Sequence, residues 1–387
     1  MYYYSDTYFY TKSGNHYISS VPIILPLVIT PLYLPIILTF NLWDAPVERI
    51  ILFSAIMEKI MASLIAAISV WAIFCLLMLI TERKGLSILL SLVYAFATGT
   101  FAVSSQALWQ HGFSELMIIL TLIYLVKLEK AGNHNNKYLL LAGLFTALAV
   151  AERQTNVTFA IPVLVYIFLC YKRETMRFLI FPLIIGAGFV AYNIAFFGSL
   201  AGIYSQGGRG WDMPSLTSIA GVLISPSRGL FIYTPVFLFS IAGMFFILKR
   251  RPSDNATDNF YKLRKIYIIL IAFVLLQILM ISSWYSWWGG GSYGPRMLTD
   301  ISPAMVLLMI PALDGIRPSA IKRSALVLSI SVSIFIQIIG AFFYPKGNIG
   351  VDENPSLLWR WQDSQITRVL KAGPVTWHYN KILKRIK

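Results

Sequence analysis

The constraint that dominates this sequence is its repeated supply of apolar runs about 20 residues long. That is the length of helix that crosses the ~30 Å hydrocarbon layer of a bilayer. Such runs cover residues 59–80, 86–108, 113–128, 178–197, 230–248, 266–284, 297–313 and 324–344. Two further apolar stretches are irregular. Residues 21–40 carry Pro22, Pro26, Pro31 and Pro35. Proline removes a backbone donor and clashes with the preceding turn, so a broken or re-entrant segment at the surface is expected there. Residues 138–171 are interrupted by Glu152-Arg153-Gln154-Thr155-Asn156. Polar, irregular backbone at membrane depth must be buried in protein or line a cavity, so two short helices meeting at that run are expected. The fold class that follows is all-α: a polytopic transmembrane helical bundle of roughly 9–11 membrane segments, some of them broken or re-entrant. Residues 1–344 would form the transmembrane domain, with 1–58 as an outer, re-entrant opening segment. Residues 345–387 would form a basic, Trp-containing C-terminal tail.

Composition narrows the function classes. The chain is 57% hydrophobic and only 13% charged, with a mean hydropathy of +0.68, against about 25% charged for soluble domains. This argues against a soluble globular domain, a disordered tail or a DNA-binding module, and no nucleic-acid partner is expected. The net charge of +15 reads instead as topology charge, because Lys and Arg gather in cytoplasmic loops. One alternating set of connections holds 17 of the 32 basic residues, among them Arg83-Lys84, Lys172-Arg173 and Lys322-Arg323, whereas the opposite set holds six. The basic set is therefore placed in the cytoplasm and the sparse set outside. The tail then lands outside, where its interspersed Trp and basic residues suit an anionic membrane face. Cys75 and Cys170 both lie in apolar runs, which excludes a disulfide framework and a thiolate metal cluster.

The informative residues fall on the sparse side. It holds Trp109-Gln110-His111-Gly112, Glu152-Arg153, Ser225 to Gly229 with Arg228, and Trp284 to Arg296. An isolated arginine beside aromatics suits a phosphate, since its planar fork donates two parallel hydrogen bonds; equally, an interfacial arginine simply snorkels. His111 suits a phosphate donor, a proton relay or an ordinary interfacial polar residue. Glu115, one turn further on the same face, is either a carboxylate orienting His111 or part of a structural pair. Arg153 is either a functional intramembrane charge or half of a local pair with Glu152. Residues 287–296, Trp-Trp-Gly-Gly-Gly-Ser-Tyr-Gly-Pro-Arg, match both G-x-G-x-x-G and G-x-S-x-G. Neither match has the strand-to-helix context that its chemistry needs. What remains is a glycine-rich loop that lets backbone approach a ligand, or a tight interhelical turn.

The order of these pieces resembles the bacterial GT-C membrane glycosyltransferases, relatives of the dolichyl-phosphate-mannose protein mannosyltransferases. The similarity rests on Gly14-Asn15-His16-Tyr17-Ile18-Ser19-Ser20 with Pro22, Pro31-Leu32-Tyr33, Leu108 to Gly112, Ala151 to Thr155, Ser225 to Phe231 and Trp288 to Arg296. It runs from about residue 6 to about residue 311. The resemblance implies a GT-C-like bundle in a bacterial inner membrane with its active face outward. It implies inverting transfer of a sugar from a polyprenyl-phosphate donor to an acceptor that is a glycan, lipid or protein. Membrane lipid is the other expected partner. Arg153, Arg228 and Arg296 would face the donor phosphate, with Trp109, Gln110, Trp288 and Tyr293 lining the substrate pocket. His111 and Asp6 are the catalytic candidates. Asp212 and Asp300 are weaker acidic substitutes. The family's first span and acidic outer loop have no counterpart here. No organic cofactor is implied, no metal ligands are assigned, and the family leaves room for a divalent metal. A non-catalytic relative and a transporter or flippase of lipid-linked or anionic solutes are the other functions to weigh.

Overall fold

The computed structural model describes residues 10–13, 16–19, 21–131, 136–200, 210–249, 259–314, 319–344 and 350–374. Seven helices among them are long and apolar enough to cross a membrane, and three shorter apolar helices accompany them. The chain is built as an integral membrane protein.

A short antiparallel hairpin, β1 (Tyr10–Ser13) and β2 (His16–Ser19), opens the described chain. Helix α1 (Ile24–Leu42) and α2 (Val47–Thr81) follow, then α3 (Lys84–Phe96), α4 (Gln110–Ala131), α5 (Asn136–Glu152), α6 (Val157–Cys170) and α7 (Thr175–Phe197). The second half holds the short α8 (Leu216–Ile224) and α9 (Leu230–Tyr233), then α10 (Leu238–Lys249) and α11 (Asn259–Ser282). It continues through α12 (Ser302–Leu308), α13 (Ile310–Asp314), α14 (Ala320–Phe343) and α15 (Gln365–Ala372).

Helix α4 is apolar on every side and lies in the middle of the bundle against α2, α5 and α11, as expected of a helix with no polar face. The run Arg296–Asp314 is the second core element, 83% buried over its apolar window. By contrast α7 buries only 11% of its window and α1 only 6%. Their Leu27, Leu32, Leu183 and Ile184 side chains face outward, where hydrocarbon takes the place of a protein core.

Several sequence expectations change in detail. The polar run at 152–156 does separate two helices, α5 and α6, with Arg153 extended between them. Residues 21–40 are not broken: α1 is continuous through Pro31 and Pro35. Pro26 sits in the first turn, where its missing N–H has no intrahelical partner to lose. Thr30 and Thr39 hydroxyls donate to the Pro26 and Pro35 carbonyls four residues back. Both ends of α1 nevertheless lie toward one end of the bundle: the Leu25 N–H meets Glu152, and Phe40 packs on Phe53 of α2.

Residues 86–108 form no straight span. Helix α3 stops at Phe96, and Thr100–Ser104 forms a π-helical turn in which the Ser105 N–H reaches the Thr100 carbonyl. The 230–248 and 297–313 runs are likewise assembled from short helices. Helix α2 starts at Val47 and passes residue 58 without a break. At 35 residues it is about 52 Å long and outreaches the hydrocarbon layer.

The helix ends sort into two poles. One gathers the basic connections: Arg83 pairs with Asp314 at 2.7 Å and Lys130 with Glu82 at 2.8 Å. The other gathers the start of α4, the end of α5, the 284–300 segment and the C-terminal segment.

Candidate functional site

At that second pole three ionisable side chains meet inside the protein. His111, in the first turn of α4, has its Nδ1 3.2 Å from Asp300 Oδ1. Arg153, in the break between α5 and α6, donates from Nη1 to Asp300 Oδ2 at 2.5 Å and also contacts the His111 ring. All three are buried: His111 is 4% exposed, Arg153 6% and Asp300 0%. Asp300 thus lies against the imidazole Nδ1 with one oxygen and accepts the guanidinium on the other. Burial of a charge is costly unless it is paired and hydrogen-bonded, and this arrangement meets both conditions. His111 Nε2 lies farther from the guanidinium, 3.4 Å from Arg153 Nη1.

Glu115 does not orient His111. Its carboxylate is buried among three hydroxyls: Tyr94 Oη at 2.5 Å, Thr100 Oγ1 at 2.8 Å and Ser104 Oγ at 2.6 Å. The π-helical turn brings the last two there, so its irregular backbone has a local purpose. Asp300 takes the orienting place, and it lies 189 residues from His111 in sequence. Nor does Glu152 direct its carboxylate to Arg153; its Oε2 accepts the Leu25 N–H at 2.9 Å and holds the start of α1.

Arg296 lies beside this cluster, half-buried. Its guanidinium stacks 4.4 Å from the centre of the Trp109 ring, and Nη2 donates to the Gly289 carbonyl at 3.1 Å. Gln110, half-buried, opens α4 next to the Trp109 ring. A narrow cleft lined by Tyr233, Thr234, Gln337, Pro295, Arg296 and Thr299 lies beside Arg296, and His111, Arg153 and Asp300 are not among its lining residues.

The third arginine is placed differently. Arg228 is 2% exposed and commits four of its five donors to the protein. Nε reaches the Trp288 carbonyl (2.9 Å), Nη1 the Ser227 carbonyl and Gln365 Oε1 (both 2.7 Å), and Nη2 the Gly290 carbonyl (2.9 Å). Burial lowers its pKa, opposed by the Tyr233, Tyr344 and Asp352 side chains; a guanidinium starts so high that it stays charged. The three arginines therefore share one pole, but Arg228 braces the glycine-rich loop where Arg153 and Arg296 flank His111.

That loop is neither a dinucleotide cradle nor a nucleophile elbow. Gly289 and Gly290 take φ of +72° and +65°, a region that L side chains rarely adopt. Trp288 bonds through Nε1 to Asp352 Oδ1 at 2.7 Å. Tyr293 is buried, donates to the Ile336 carbonyl at 2.7 Å and packs edge-on against Tyr233. Trp288 thus meets a protein partner, whereas Tyr293, besides its own partners, lines the narrow cleft beside Arg296. Asp212 lies apart, its N–H bonded to the Ser283 carbonyl beside the Trp211–Trp284 ring pair, and Asp6 lies outside the described residues. Among the described residues no group of three or more His, Cys, Asp or Glu is placed to hold a metal. A divalent metal does not fit between His111 and Asp300, because the Arg153 guanidinium occupies the carboxylate.

No known protein family matches this chain, and no curated protein and no solved structure is similar to it.

Proposed function

We infer that the protein is a bacterial inner-membrane glycosyltransferase that moves a sugar from a polyprenyl-phosphate donor to a cell-envelope acceptor, with its active face outward. The observation that carries this reading is the buried His111–Asp300–Arg153 cluster, with Arg296 beside it, at the pole away from the basic loops. The acceptor oxygen attacks the anomeric carbon, and the bond from that carbon to the phosphate oxygen breaks with inversion. His111 Nε2 takes the acceptor's proton, while Asp300 holds the ring through Nδ1 and steadies the imidazolium that forms. The departing polyprenyl phosphate gains negative charge as the bond breaks. Preorganised cations help most where charge develops, and Arg153 and Arg296 supply them. Lipid-facing helices give the donor's chain its access.

The test is transfer from a polyprenyl-phosphate sugar by the purified full-length chain in detergent or vesicles. Wild type is expected to turn over. His111→Ala and Asp300→Asn are expected to lose activity by about 10²-fold or more, the scale of general acid–base catalysis, and Arg296→Ala to lose a similar factor. Full activity in His111→Ala or Asp300→Asn would overturn the mechanism. Absence of transfer by wild type, with movement of the intact lipid-linked solute instead, would establish the flippase reading.

A further inference from the structure

The glycine-rich loop presents five carbonyls in succession to side chains from elsewhere in the chain. Trp288 and Gly290 oxygens take Arg228, Gly289 takes Arg296, Gly291 takes the Tyr344 hydroxyl, and Ser292 takes Gln365 Nε2. Gln365 is the most connected of these partners. It opens α15 in the C-terminal segment and is fully buried. Its Oε1 accepts three donors: Arg228 Nη1 at 2.7 Å, the Gly294 N–H at 2.9 Å and the Tyr233 hydroxyl at 3.2 Å. Its Nε2 donates to Ser292 at 2.9 Å, and its backbone N–H reaches Ser227 Oγ at 3.3 Å. An amide has one acceptor oxygen and two N–H donors, and here a single side chain spends both functions on one loop and the brace behind it. Two residues after Gly294 the chain reaches Arg296.

We propose that the C-terminal segment is a working part of the site and that Gln365 is the positioning residue that holds the 288–296 loop, and with it Arg296, in place. This rests on the glycosyltransferase reading for its consequence in catalysis, but not for its structural content. Gln365 touches none of the reacting groups; it acts through Gly294, Ser292 and Arg228. A guanidinium displaced by about 1 Å no longer meets developing charge as it should, and misplacement on that scale costs about 10²-fold. Because the phosphate's charge grows in the transition state, the loss falls on kcat more than on KM.

The experiment uses the full-length chain in detergent, as wild type, Gln365→Ala and Gln365→Glu. Hydrogen exchange followed by mass spectrometry reads the loop directly, since the Gly294 amide donates to Gln365 Oε1. In Gln365→Ala the 288–296 peptide is expected to exchange about tenfold faster, with α4 and α11 unchanged, as expected of local rather than global opening. In the transfer assay kcat per folded molecule is expected to fall about 10²-fold with KM changed little. Gln365→Glu keeps an acceptor for Arg228, Gly294 and Tyr233 but has no donor for the Ser292 carbonyl, and is expected to recover part of both losses. Unchanged loop exchange in a folded Gln365→Ala would overturn the proposal. So would unchanged kcat, or a loss of folded protein with normal kcat in what remains, which is the signature of a purely structural residue. If Gln365→Ala does not fold, Gln365→Met, near in volume and without the amide, carries the same two readouts: faster loop exchange with lowered kcat supports the proposal, and unchanged exchange or unchanged kcat overturns it. If wild type transfers no sugar, the functional reading fails, while the exchange result still decides whether Gln365 holds the loop.

Discussion

Arginines with the same charge do different work here according to how many of their donors the protein has already taken. Arg228 gives four donors to acceptors around it, whereas Arg296 is half-buried, stacks on a ring and donates to the Gly289 carbonyl. Arg228→Ala would leave the Trp288 and Gly290 carbonyls without this donor and take one of three donors from Gln365 Oε1. Each buried group left unpaired costs roughly 1–3 kcal/mol, so a loss of about 3 kcal/mol or more is expected. Arg296→Ala removes a cation–π contact of about 1–2 kcal/mol from a half-open position. Thermal unfolding of the two variants in the same detergent should therefore show a large fall in Tm for Arg228→Ala and a small one for Arg296→Ala. Equal falls would mean that the loop does not depend on its brace. Sequence alone marked both arginines but not this division, because three of Arg228's four acceptors lie 60 or more residues away. The same distance hid Asp300 as the partner of His111. Its one local sign was a carboxylate in an apolar run. Gln365 gave no sign at all, being one amide in a polar tail.

At the scale of helices, the apolar runs announced most elements and the polar run at 152–156 announced a break. They did not announce the turns inside apolar runs. Thr98-Gly99-Thr100 interrupts residues 86–108 with small residues that are also at home in membrane helices, and it is Glu115 of α4, accepting from Thr100 and Ser104, that gives those two hydroxyls a reason to leave the helix. Close helix approach was equally hidden. A Cβ on Gly143 of α5 would lie 2.0 Å from the Phe178 carbonyl oxygen of α7, and one on Gly243 of α10 would lie 1.7 Å from the Leu308 carbonyl of α12. In an isolated helix Gly→Ala gains up to ~1 kcal/mol. Here the obstacle is backbone, which cannot swing aside, and overpacking costs typically ~1–3 kcal/mol. Gly143→Ala is thus expected to destabilise the protein by about 1–2 kcal/mol net, read as a lowered midpoint of thermal unfolding. A raised midpoint would show that α5 and α7 separate freely.

Across the whole molecule, charge and chemistry are segregated to opposite poles. The ion pairs Arg83–Asp314 and Lys130–Glu82 tie helix ends together at one pole, and the His111–Asp300–Arg153 cluster and the C-terminal segment share the other. Basic residues resist translocation across the membrane, so the first pole is expected in the cytoplasm and the site outside. The C-terminal segment, basic in sequence, would by charge alone belong with the first pole. Its bonds to Trp288, Arg228 and Gly294 hold it at the second instead. Single cysteines placed in a Cys75→Ala, Cys170→Ala background decide the matter, since Lys137 and Asn354 are both exposed and lie at opposite poles. A membrane-impermeant maleimide is expected to label Asn354→Cys in intact cells and Lys137→Cys only after lysis. The reverse pattern would turn the site toward the cytoplasm, where a donor displayed on the outer leaflet never reaches it, and the proposed reaction would lose its substrate while the fold stayed as described.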